Sequence, residues 1–380
     1  MSLFEPEDGR PRTSRRVRTG WTLLVSALVL GLVMSFLPAP YVIEQPGPVF
    51  NTLGTQQQDG EDVPLIAITG AETYPTAGTL DMLTVSVRGN RENRPSWAEV
   101  VSAWFDSSKA VLPIDQVYPP SVTTEQRDQQ NATLMVDSQQ EAVAAALTEQ
   151  GIAFGTNVTV AGVDPSGPAA DSLQAGDVIL SVNGETPSDV DSLRAALAAN
   201  GTDAPATLVV RRTADDGSTS EQTFSITPTI SAQTGAPALG VSVGYSYDFP
   251  FDVEIQLNDV GGPSAGMMFA LGIIDMLTPG ELNGGQNVAG TGTIDAAGDV
   301  GPIGGIRQKM YGARDAGATW FLAPASNCDE VVGHVPDGIT VFAVSTLSDS
   351  ITALDTIASG GDTSALTTCD AVQSTPAQSE

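Results

Sequence analysis

Two side chains in this sequence, a serine and a lysine, have the types that nucleophilic catalysis uses. Ser264 lies in Gly262-Pro-Ser-Ala-Gly266, between a strand-like run and an apolar helical run. The pentapeptide fits the Gly-x-Ser-x-Gly elbow of a hydrolase, which needs an acid and a later histidine, and His334 follows the serine. It also fits a serine whose proton is taken by a lysine of lowered pKa. A third interpretation is a serine that only caps backbone amides at a helix start.

Lysine usage favours the second interpretation. The chain has two lysines, Lys109 and Lys309, and otherwise uses arginine as its cation. Arginine stays protonated and cannot act as a base, whereas a lysine desolvated in an apolar pocket can. Ile306, Met310 and the glycines of Gly301–Gly305 would supply such a pocket around Lys309. The alternative for a lone lysine is a position on the solvent face of an amphipathic helix.

The elements that must position these residues are readable from the hydrophobic pattern. Ser264 follows a strand at Val253–Leu257 and precedes a helix at Met267–Leu277. Lys309 falls in a helix over Ile306–Ala316. The elements predicted after it are a strand at Thr319–Leu322, a strand at Thr340–Val344 and a helix at Thr346–Ala358.

A set of motifs from Gly262 to Asn327 closely resembles the proteolytic domain of the Lon family. The residues that carry the resemblance are Gly262-Pro-Ser-Ala-Gly266, Thr291-Gly-Thr293, Gly298-Asp-Val-Gly-Pro-Ile-Gly-Gly-Ile-Arg-Gln-Lys309, Ala316-Gly317 and Pro324-Ala-Ser-Asn327. Their spacing matches the family pattern throughout.

The resemblance implies a serine–lysine dyad. Ser264 would be the nucleophile, Lys309 its general base, and Thr291 would hydrogen-bond and orient the lysine. Two departures from the family pattern stand in this sequence. Thr293 replaces a glutamate, and Gly261 stands where cytoplasmic members often carry an acid.

Backbone amides near Ser264 are candidates for an oxyanion hole. A helix starting at the serine has unpaired N–H groups and a dipole that favour negative charge. The residues predicted to supply such amides are Gly261, Gly262 and Ala265. No metal or cofactor is called for by this chemistry.

A second region, residues 141–229, resembles a PDZ domain. The resemblance rests on Leu173-Gln-Ala-Gly-Asp-Val-Ile-Leu-Ser-Val-Asn-Gly184, followed by an amphipathic helix over Asp189–Ala199. It places the carboxylate-binding loop at Gly151-Ile152-Ala153-Phe154-Gly155, just before a strand. In such domains the loop amides hold a peptide C-terminus and the peptide adds a strand to the sheet. The alternative is a spacer or lid that binds nothing.

The N-terminus has the pattern of a membrane anchor. Five of the 16 basic residues lie in the first 18 positions, but only three of the 45 acidic ones. They precede an uncharged apolar run, residues 21–37, which would span roughly 25 Å as a helix. The positive-inside bias predicts a cytoplasmic N-terminus and an extracytoplasmic body. A cleaved signal peptide is the alternative, but the prolines at 38 and 40 disfavour cleavage and no small-x-small site is visible.

Composition excludes several functional classes. The 380 residues carry a net charge of −29, so a long phosphate-binding footprint, and with it nucleic-acid binding, is disfavoured. Neither lysine is followed by serine or threonine, which excludes a Walker P-loop. A single histidine and two cysteines exclude a histidine-rich or four-cysteine metal site. Because no histidine precedes Ser264, the chain order of trypsin-like proteases is excluded as well.

Cys328 and Cys369 are the only cysteines, and an extracytoplasmic location would allow them to form a disulfide.

The remaining boundaries complete the predicted organisation: a basic segment at 1–18, an anchor at 19–40, a first part of the protease region at 41–140, the PDZ region at 141–229, the proteolytic domain at 230–358 and a mobile tail at 359–380.

The sequence therefore predicts an α+β fold: a Lon-type proteolytic domain with a β-rich PDZ domain, after one N-terminal transmembrane helix. Tyr41-Val-Ile-Glu-Gln-Pro-Gly-Pro48 adds a resemblance to membrane-anchored, extracytoplasmic Lon-like proteins with an inserted PDZ domain. This resemblance implies an ATP-independent serine endopeptidase with protein or peptide substrates and a homo-oligomeric ring, whose PDZ domain binds or gates substrate. The rivals are a non-catalytic PDZ adaptor with an inactive protease fold and an esterase that uses His334.

Overall fold

The computed structural model describes residues 15–374 except positions 59, 121, 215, 258 and 259. Most of the predicted basic segment and the last six residues of the predicted tail lie outside the described residues. The first described element is a helix whose residues Val17–Ser35 are long and apolar enough to cross a membrane, with a mean hydropathy of 1.7. None of this span is buried inside the protein.

The elements before the PDZ region alternate short strands with helices. In chain order they are α1 (Arg15–Ser35), β1 (Tyr41–Asn51), β2 (Thr55–Gln58), β3 (Glu61–Pro64), β4 (Ile66–Thr69), β5 (Thr79–Arg88), α2 (Trp97–Trp104), β6 (Ala110–Pro113), α3 (Ile114–Val117) and α4 (Thr124–Glu149).

The PDZ region and the strand that leads out of it come next. These elements are β7 (Gly155–Val163), β8 (Val178–Val182), α5 (Val190–Asn200), β9 (Ala206–Thr213), β10 (Thr219–Ile226), β11 (Thr229–Ile230), β12 (Pro237–Ala238), β13 (Val241–Asp248) and β14 (Asp252–Ile255).

The last part of the chain alternates helices and strands. Its elements are α6 (Gly266–Leu277), β15 (Asn287–Gly290), β16 (Thr293–Ile294), β17 (Val300–Gly301), α7 (Ile306–Asp315), β18 (Trp320–Pro324), α8 (Cys328–Val331), β19 (Thr340–Val344), α9 (Leu347–Ala358) and α10 (Cys369–Ser374). These bounds agree with the predicted helices at 267–277, 306–316 and 346–358 to within a residue or two.

One six-stranded sheet joins both ends of the chain. Its order is β19-β18-β15-β5-β1-β6. Strands β5, β15, β18 and β19 run parallel to one another, whereas β1 is antiparallel to β5 and to β6. Three strands thus come from before the PDZ region and three from after it, so residues 41–113 and 287–344 contribute to one sheet.

Helix α6 lies in the centre of the larger core. From Met267 to Ile274 its residues are essentially without solvent contact. The helix is apolar on all sides, which is the pattern of a buried rather than a surface helix. It packs against α4, α9 and β5. A helix held in this way gives Ser264, just before its first turn, a rigid base.

The second sheet has the order β10-β9-β8-β7-β13 and its own apolar core. The predicted boundaries 141–229 differ from this unit at both ends. Helix α4 runs on to Glu149, and its buried residues Ala142–Leu147 belong to the larger core. Strand β13 lies beyond residue 229 but pairs with β7 along its whole length, which closes the sheet. The β-rich unit therefore spans about residues 155–248.

The tail after residue 359 differs from the mobile segment that its composition predicts. Cys369–Ser374 forms helix α10, and Cys369 is buried and bonded to Cys328 at the start of α8. The disulfide predicted from the cysteine count is therefore present, and it ties the end of the chain to the cluster around α7 and β18.

Removing this disulfide is expected to lower stability. The bond joins residues 41 positions apart. In the chain-entropy account, closing a loop of this length contributes about 3–4 kcal/mol. We expect the Cys328→Ala/Cys369→Ala variant to unfold at clearly lower urea concentration than wild type, as followed by intrinsic fluorescence of the full chain in detergent. A reducing agent should shift wild type toward the double variant and leave the variant unmoved. An identical midpoint for the two proteins would contradict the prediction.

Candidate active site

Lys309 is carried into the core by the first turn of α7. The helix starts after Gly305, whose φ is +69° and where a Cβ would lie 2.7 Å from Val85 Cγ2, so glycine is required. The preceding loop is held by Asn327, whose side-chain amide both accepts from the Ile303 N–H and donates to its carbonyl, each at 2.9 Å. As a result the Lys309 side chain points inward and the residue is only 2% exposed.

Ser264, Lys309 and Thr291 form one hydrogen-bonded group. Lys309 Nζ lies 2.7 Å from Ser264 Oγ and 2.9 Å from Thr291 Oγ1. The Thr291 hydroxyl donates to the Ser264 carbonyl at 2.9 Å. Because its proton is used there, the Thr291 oxygen is left to accept from the lysine. A neutral Lys309 then has its lone pair available to accept the Ser264 proton.

Burial determines the protonation of Lys309. Loss of hydration penalises the ammonium form and lowers the pKa of Lys309 to about 7. An amine with such a pKa is substantially neutral at physiological pH. The group can therefore work as a general base without help from a histidine.

The loop that carries Ser264 is held by helix α4. The Gly262 N–H donates to the Asn131 carbonyl at 3.0 Å, and the buried Ser138 hydroxyl donates to the Pro263 carbonyl at 3.0 Å. Gly262 has a φ of +89°, which an L side chain rarely adopts. Asn131 and Ser138 are not found by sequence reasoning, because they belong to a long polar helix with no motif that marks them.

The three predicted oxyanion amides do not all fit. Gly262 is wrong for this role, because its N–H is already donated to the Asn131 carbonyl. The N–H groups of Gly261 and Ala265 have no acceptor among the described residues, which include neither Asn258 nor Asp259. These two amides remain predictions. Helix α6 starts at Gly266 rather than at the serine, so Ala265 is its N-cap residue.

A cleft of about 360 Å³ opens onto the serine and the lysine. One wall is apolar and is formed by Phe50, Met82, Met135 and Val260. The other follows strand β5 from Leu83 to Ser86. One edge of β5 pairs with β1, and the other pairs with β15 only as far as Met82. After Met82, no described strand pairs with this second edge.

His334 and Thr293 lie outside the catalytic group. His334 is exposed, and its Nδ1 lies 3.0 Å from the Val332 carbonyl. The Ser264 hydroxyl is paired with Lys309 instead, which removes the basis for a histidine-dependent hydrolase. Thr293 pairs with Gly301 across the β16–β17 hairpin, close to the loop that precedes α7.

Comparison with known proteins agrees with this geometry. Residues 258–355 match the model of the Lon protease (S16) C-terminal proteolytic domain. The chain contains a Lon-type peptidase domain. Ser264, Thr291 and Lys309 all lie inside the matched stretch, so the predicted α+β fold and the serine-peptidase class are confirmed for this domain.

Individual Lon proteases show the extent of the likeness. Lon protease 2 of Herpetosiphon aurantiacus is 42% identical over 100 residues, which are 24% of this chain and 12% of that protein. Lon protease 2 of Bacillus subtilis is 34% identical over 105 residues, 26% of this chain and 18% of that protein. The chain thus spans less than a fifth of the length of these Lon proteases.

Residues 159–212 match the model of a PDZ domain, which confirms the second resemblance. Among solved structures, the PDZ domain of the SdrC-like protein from Listeria monocytogenes is 21% identical, with a TM-score of 0.20, over 23% of this chain and 86% of that one.

The predicted peptide loop at Gly151–Gly155 faces the Lon-type domain. Ile152 and Phe154 pack on the larger core. The centroid of the Phe154 ring lies 5.6 Å from that of Tyr247 and 5.5 Å from that of Phe249. Gly155 itself pairs with Asp248. The side chains of the loop therefore join the PDZ domain to the peptidase core, and its role in peptide binding stays a prediction.

Lysine titration predicts the pH dependence of the peptidase. Since the base must be neutral and burial lowers the Lys309 pKa to about 7, kcat/KM should rise roughly tenfold per pH unit below 7 and level off above it. A pH–rate profile on a labelled peptide measures this. The Lys109→Ala variant, which alters the other lysine, should keep the profile. A rate that does not change through neutral pH would contradict the assignment of Lys309 as base.

Ser138 should act as a positioning residue for the Ser264 loop. Ser138→Ala leaves the Pro263 carbonyl with only its longer bond from the Gly266 N–H at 3.4 Å, and we expect kcat to fall about tenfold, equivalent to roughly 1.4 kcal/mol. KM and the apparent pKa near 7 should stay unchanged, because neither the cleft nor the lysine is altered. Thr133→Ala, on an exposed face of the same helix, is the matched control. Equal kcat for both variants would exclude this role.

Proposed function

We propose that this chain is a membrane-anchored serine endopeptidase that works without ATP and cleaves unfolded or exposed segments of extracytoplasmic proteins. The observation that carries the proposal is the 2.7 Å contact between the nearly inaccessible Lys309 amine and the Ser264 hydroxyl. Burying an amine without a counter-charge lowers the stability of the folded protein. The contact is therefore explained by function rather than by stability.

The reaction follows from this contact. Neutral Lys309 takes the Ser264 proton as Oγ attacks the scissile carbonyl, and the resulting oxyanion is stabilised by backbone amides at the start of α6. The protonated lysine then gives its proton to the leaving amine, which leaves an acyl-enzyme on Ser264. Water next attacks the ester while Lys309 accepts its proton and returns it to Ser264, so base and nucleophile are restored.

The cleft favours an extended peptide with an apolar residue at the cleavage point. The β5 edge opposite β1 at Thr84–Ser86, which pairs with no described strand, can receive a substrate as an added strand. Phe50, Met82, Met135 and Val260 would bury the side chain next to the scissile bond. A folded domain does not expose such a strand, which supports unfolded or flexible substrates.

Independence from ATP and membrane anchoring rest on the sequence and on α1. Within these 380 residues no Gly-Lys-Ser/Thr step occurs. Val17–Ser35 has the length of a span, and the five arginines before residue 19 favour a cytoplasmic N-terminus. The disulfide fits an oxidising compartment. Assembly into a homo-oligomeric ring remains a proposal by resemblance to Lon-type domains.

The PDZ domain is proposed to present or gate substrate. Strand β13 is the edge of the PDZ sheet and has no partner on its outer side among the described strands. Its Tyr247 donates a hydrogen bond to Glu141 of α4 at 2.8 Å. Because α4 also holds the Ser264 loop, a peptide added to β13 would act on the helix that positions the nucleophile.

An activity assay with matched variants tests the proposed function. The full chain in detergent is mixed with an unfolded, fluorescently labelled protein without ATP. We expect Ser264→Ala, Lys309→Ala and Lys309→Arg to lose turnover by at least about a thousandfold, since each removes the nucleophile or the base. Lys109→Ala and His334→Ala should retain wild-type rates.

The rival functions give different patterns. An adaptor with an inactive protease fold would show no turnover in wild type and the same partner binding in Lys309→Arg. A histidine-dependent esterase would lose activity in His334→Ala and keep it in Lys309→Ala. Either pattern would overturn the serine–lysine peptidase.

A further inference from the structure

Helix α2 carries an apolar face that the core does not use. Its inner residues Val100 and Ala103 are buried, while Val101, Trp104 and Phe105 beside them are 42%, 57% and 88% exposed. The exposed positions 98, 101, 102, 104 and 105 hold alanine, valine, serine, tryptophan and phenylalanine, without a charge. Large aromatic side chains clustered in water usually mark an interaction surface.

This face lies where the chain leaves the proposed membrane span. The backbone just after α1 is bonded to the segment that starts α2: the Trp97 N–H donates to the Leu37 carbonyl at 3.1 Å, and the Ala39 N–H to the Pro95 carbonyl at 2.8 Å. Helices α1 and α2 are in contact. Helix α2 is about 12 Å long, so its whole length stays close to the end of the span.

Aromatic rings and paired charges make the surroundings fit a lipid headgroup region. Tyr41 meets Trp97 and Trp104 edge-on, with ring centroids 5.8 and 6.5 Å apart. Tryptophan and tyrosine are the side chains enriched at membrane–water interfaces.

The charge around α2 is unlike that of the rest of this acidic chain. Four of the eleven cations that follow residue 18 lie between positions 88 and 109. Three carboxylates near them are neutralised in ion pairs: Glu99 by Arg88, Asp115 by Arg91, and Asp106 by Lys109. With Glu92 and Arg94 counted as well, four cations are matched by four carboxylates, so this rim is close to neutral and suits a phospholipid surface better than the rest of this acidic chain does.

We propose that the face formed by Val101, Trp104 and Phe105 docks into the phospholipid interface next to the anchor. The proposal rests on the proposed membrane anchoring of this chain. With a span and a docked face, the catalytic body has two attachments to the bilayer. A single membrane helix would let the catalytic body rotate relative to the bilayer. A second attachment fixes the tilt of the body and holds the cleft at a constant height above the lipid.

Tryptophan quenching by brominated lipids tests the docking. The full chain is placed in phosphatidylcholine nanodiscs with or without bromine on the upper acyl chain. Each tryptophan is isolated as the difference in emission between wild type and its Trp→Phe variant. Trp21 reports on the span, Trp104 on the docked face, and Trp320, which is half-buried and stacked on Phe342, on the body. We expect bromolipid to quench Trp21 and Trp104 several times more than Trp320.

The outcomes separate the two proposals. If Trp21 is not quenched, the anchor itself is wrong and the docking fails with it. If Trp21 is quenched while Trp104 responds only to aqueous iodide, the anchor stands and the docking is overturned. If Trp104 is shielded from both quenchers, a protein surface covers it, which also overturns the docking.

A charged substitution gives an independent check. Phe105→Asp should sharply reduce quenching of Trp104 by bromolipid, because a carboxylate at this face is repelled by the acyl region. Ile230→Asp, at an exposed apolar residue of the PDZ region, is the matched control and should leave it unchanged. Both positions are exposed, so neither change threatens folding. Equal quenching in the two variants would contradict the proposal.

Discussion

The desolvation of one amine, that of Lys309, is the constraint on which the rest of the peptidase domain depends. In the unfolded chain this lysine keeps its proton up to its ordinary pKa of 10.5, whereas in the folded protein burial lowers the pKa to about 7. The folded state therefore carries a cost on the order of 5 kcal/mol, complete below neutral pH and absent above the ordinary lysine pKa. Ile306 and Met310 of the same helix pack in an apolar cluster with Phe321 and the disulfide, and the burial of this cluster helps to offset the cost.

The same constraint explains why so much structure is devoted to holding loops. A neutral amine can act as the base only if its lone pair points at the serine. Thr291 orients the amine through a hydrogen bond, and Asn327 holds the loop that precedes the lysine helix. The serine is held separately, by carbonyl and hydroxyl contacts from α4. A catalytic pair built from two independently anchored loops needs both anchors, because a misplacement of about 1 Å can cost about a hundredfold in rate.

Helix α4 and strand β13 show how the PDZ domain is inserted into the chain of the peptidase domain. The PDZ unit begins with Gly155 and ends with Asp248, and these two residues are paired across neighbouring strands. Since its two ends meet, the insertion leaves the six-stranded sheet undisturbed. The junction is not passive, however. Aromatic residues of the PDZ side, Phe154, Tyr247 and Phe249, pack at the junction, and Glu141 links them to the helix under the nucleophile. Burial raises the pKa of Glu141, which accepts the hydrogen bond of the Tyr247 hydroxyl.

The sequence alone determined the chemistry and most of the elements around it. The pentapeptide around Ser264, the glycine-rich run before Lys309 and the apolar helix after the serine are local patterns, and local patterns depend on residues near in the chain. Tertiary structure decided what joins across distance. Asn131 and Ser138 contact the serine loop only in the folded protein, where the Gly262 N–H donates to a carbonyl 131 residues away. Ile152 and Phe154 of the Gly151–Gly155 loop pack on the peptidase core, and the edge strand of the PDZ sheet is Val241–Asp248. Such contacts leave no periodic signal, because strand pairing and burial between remote segments are set by the packing of the whole fold.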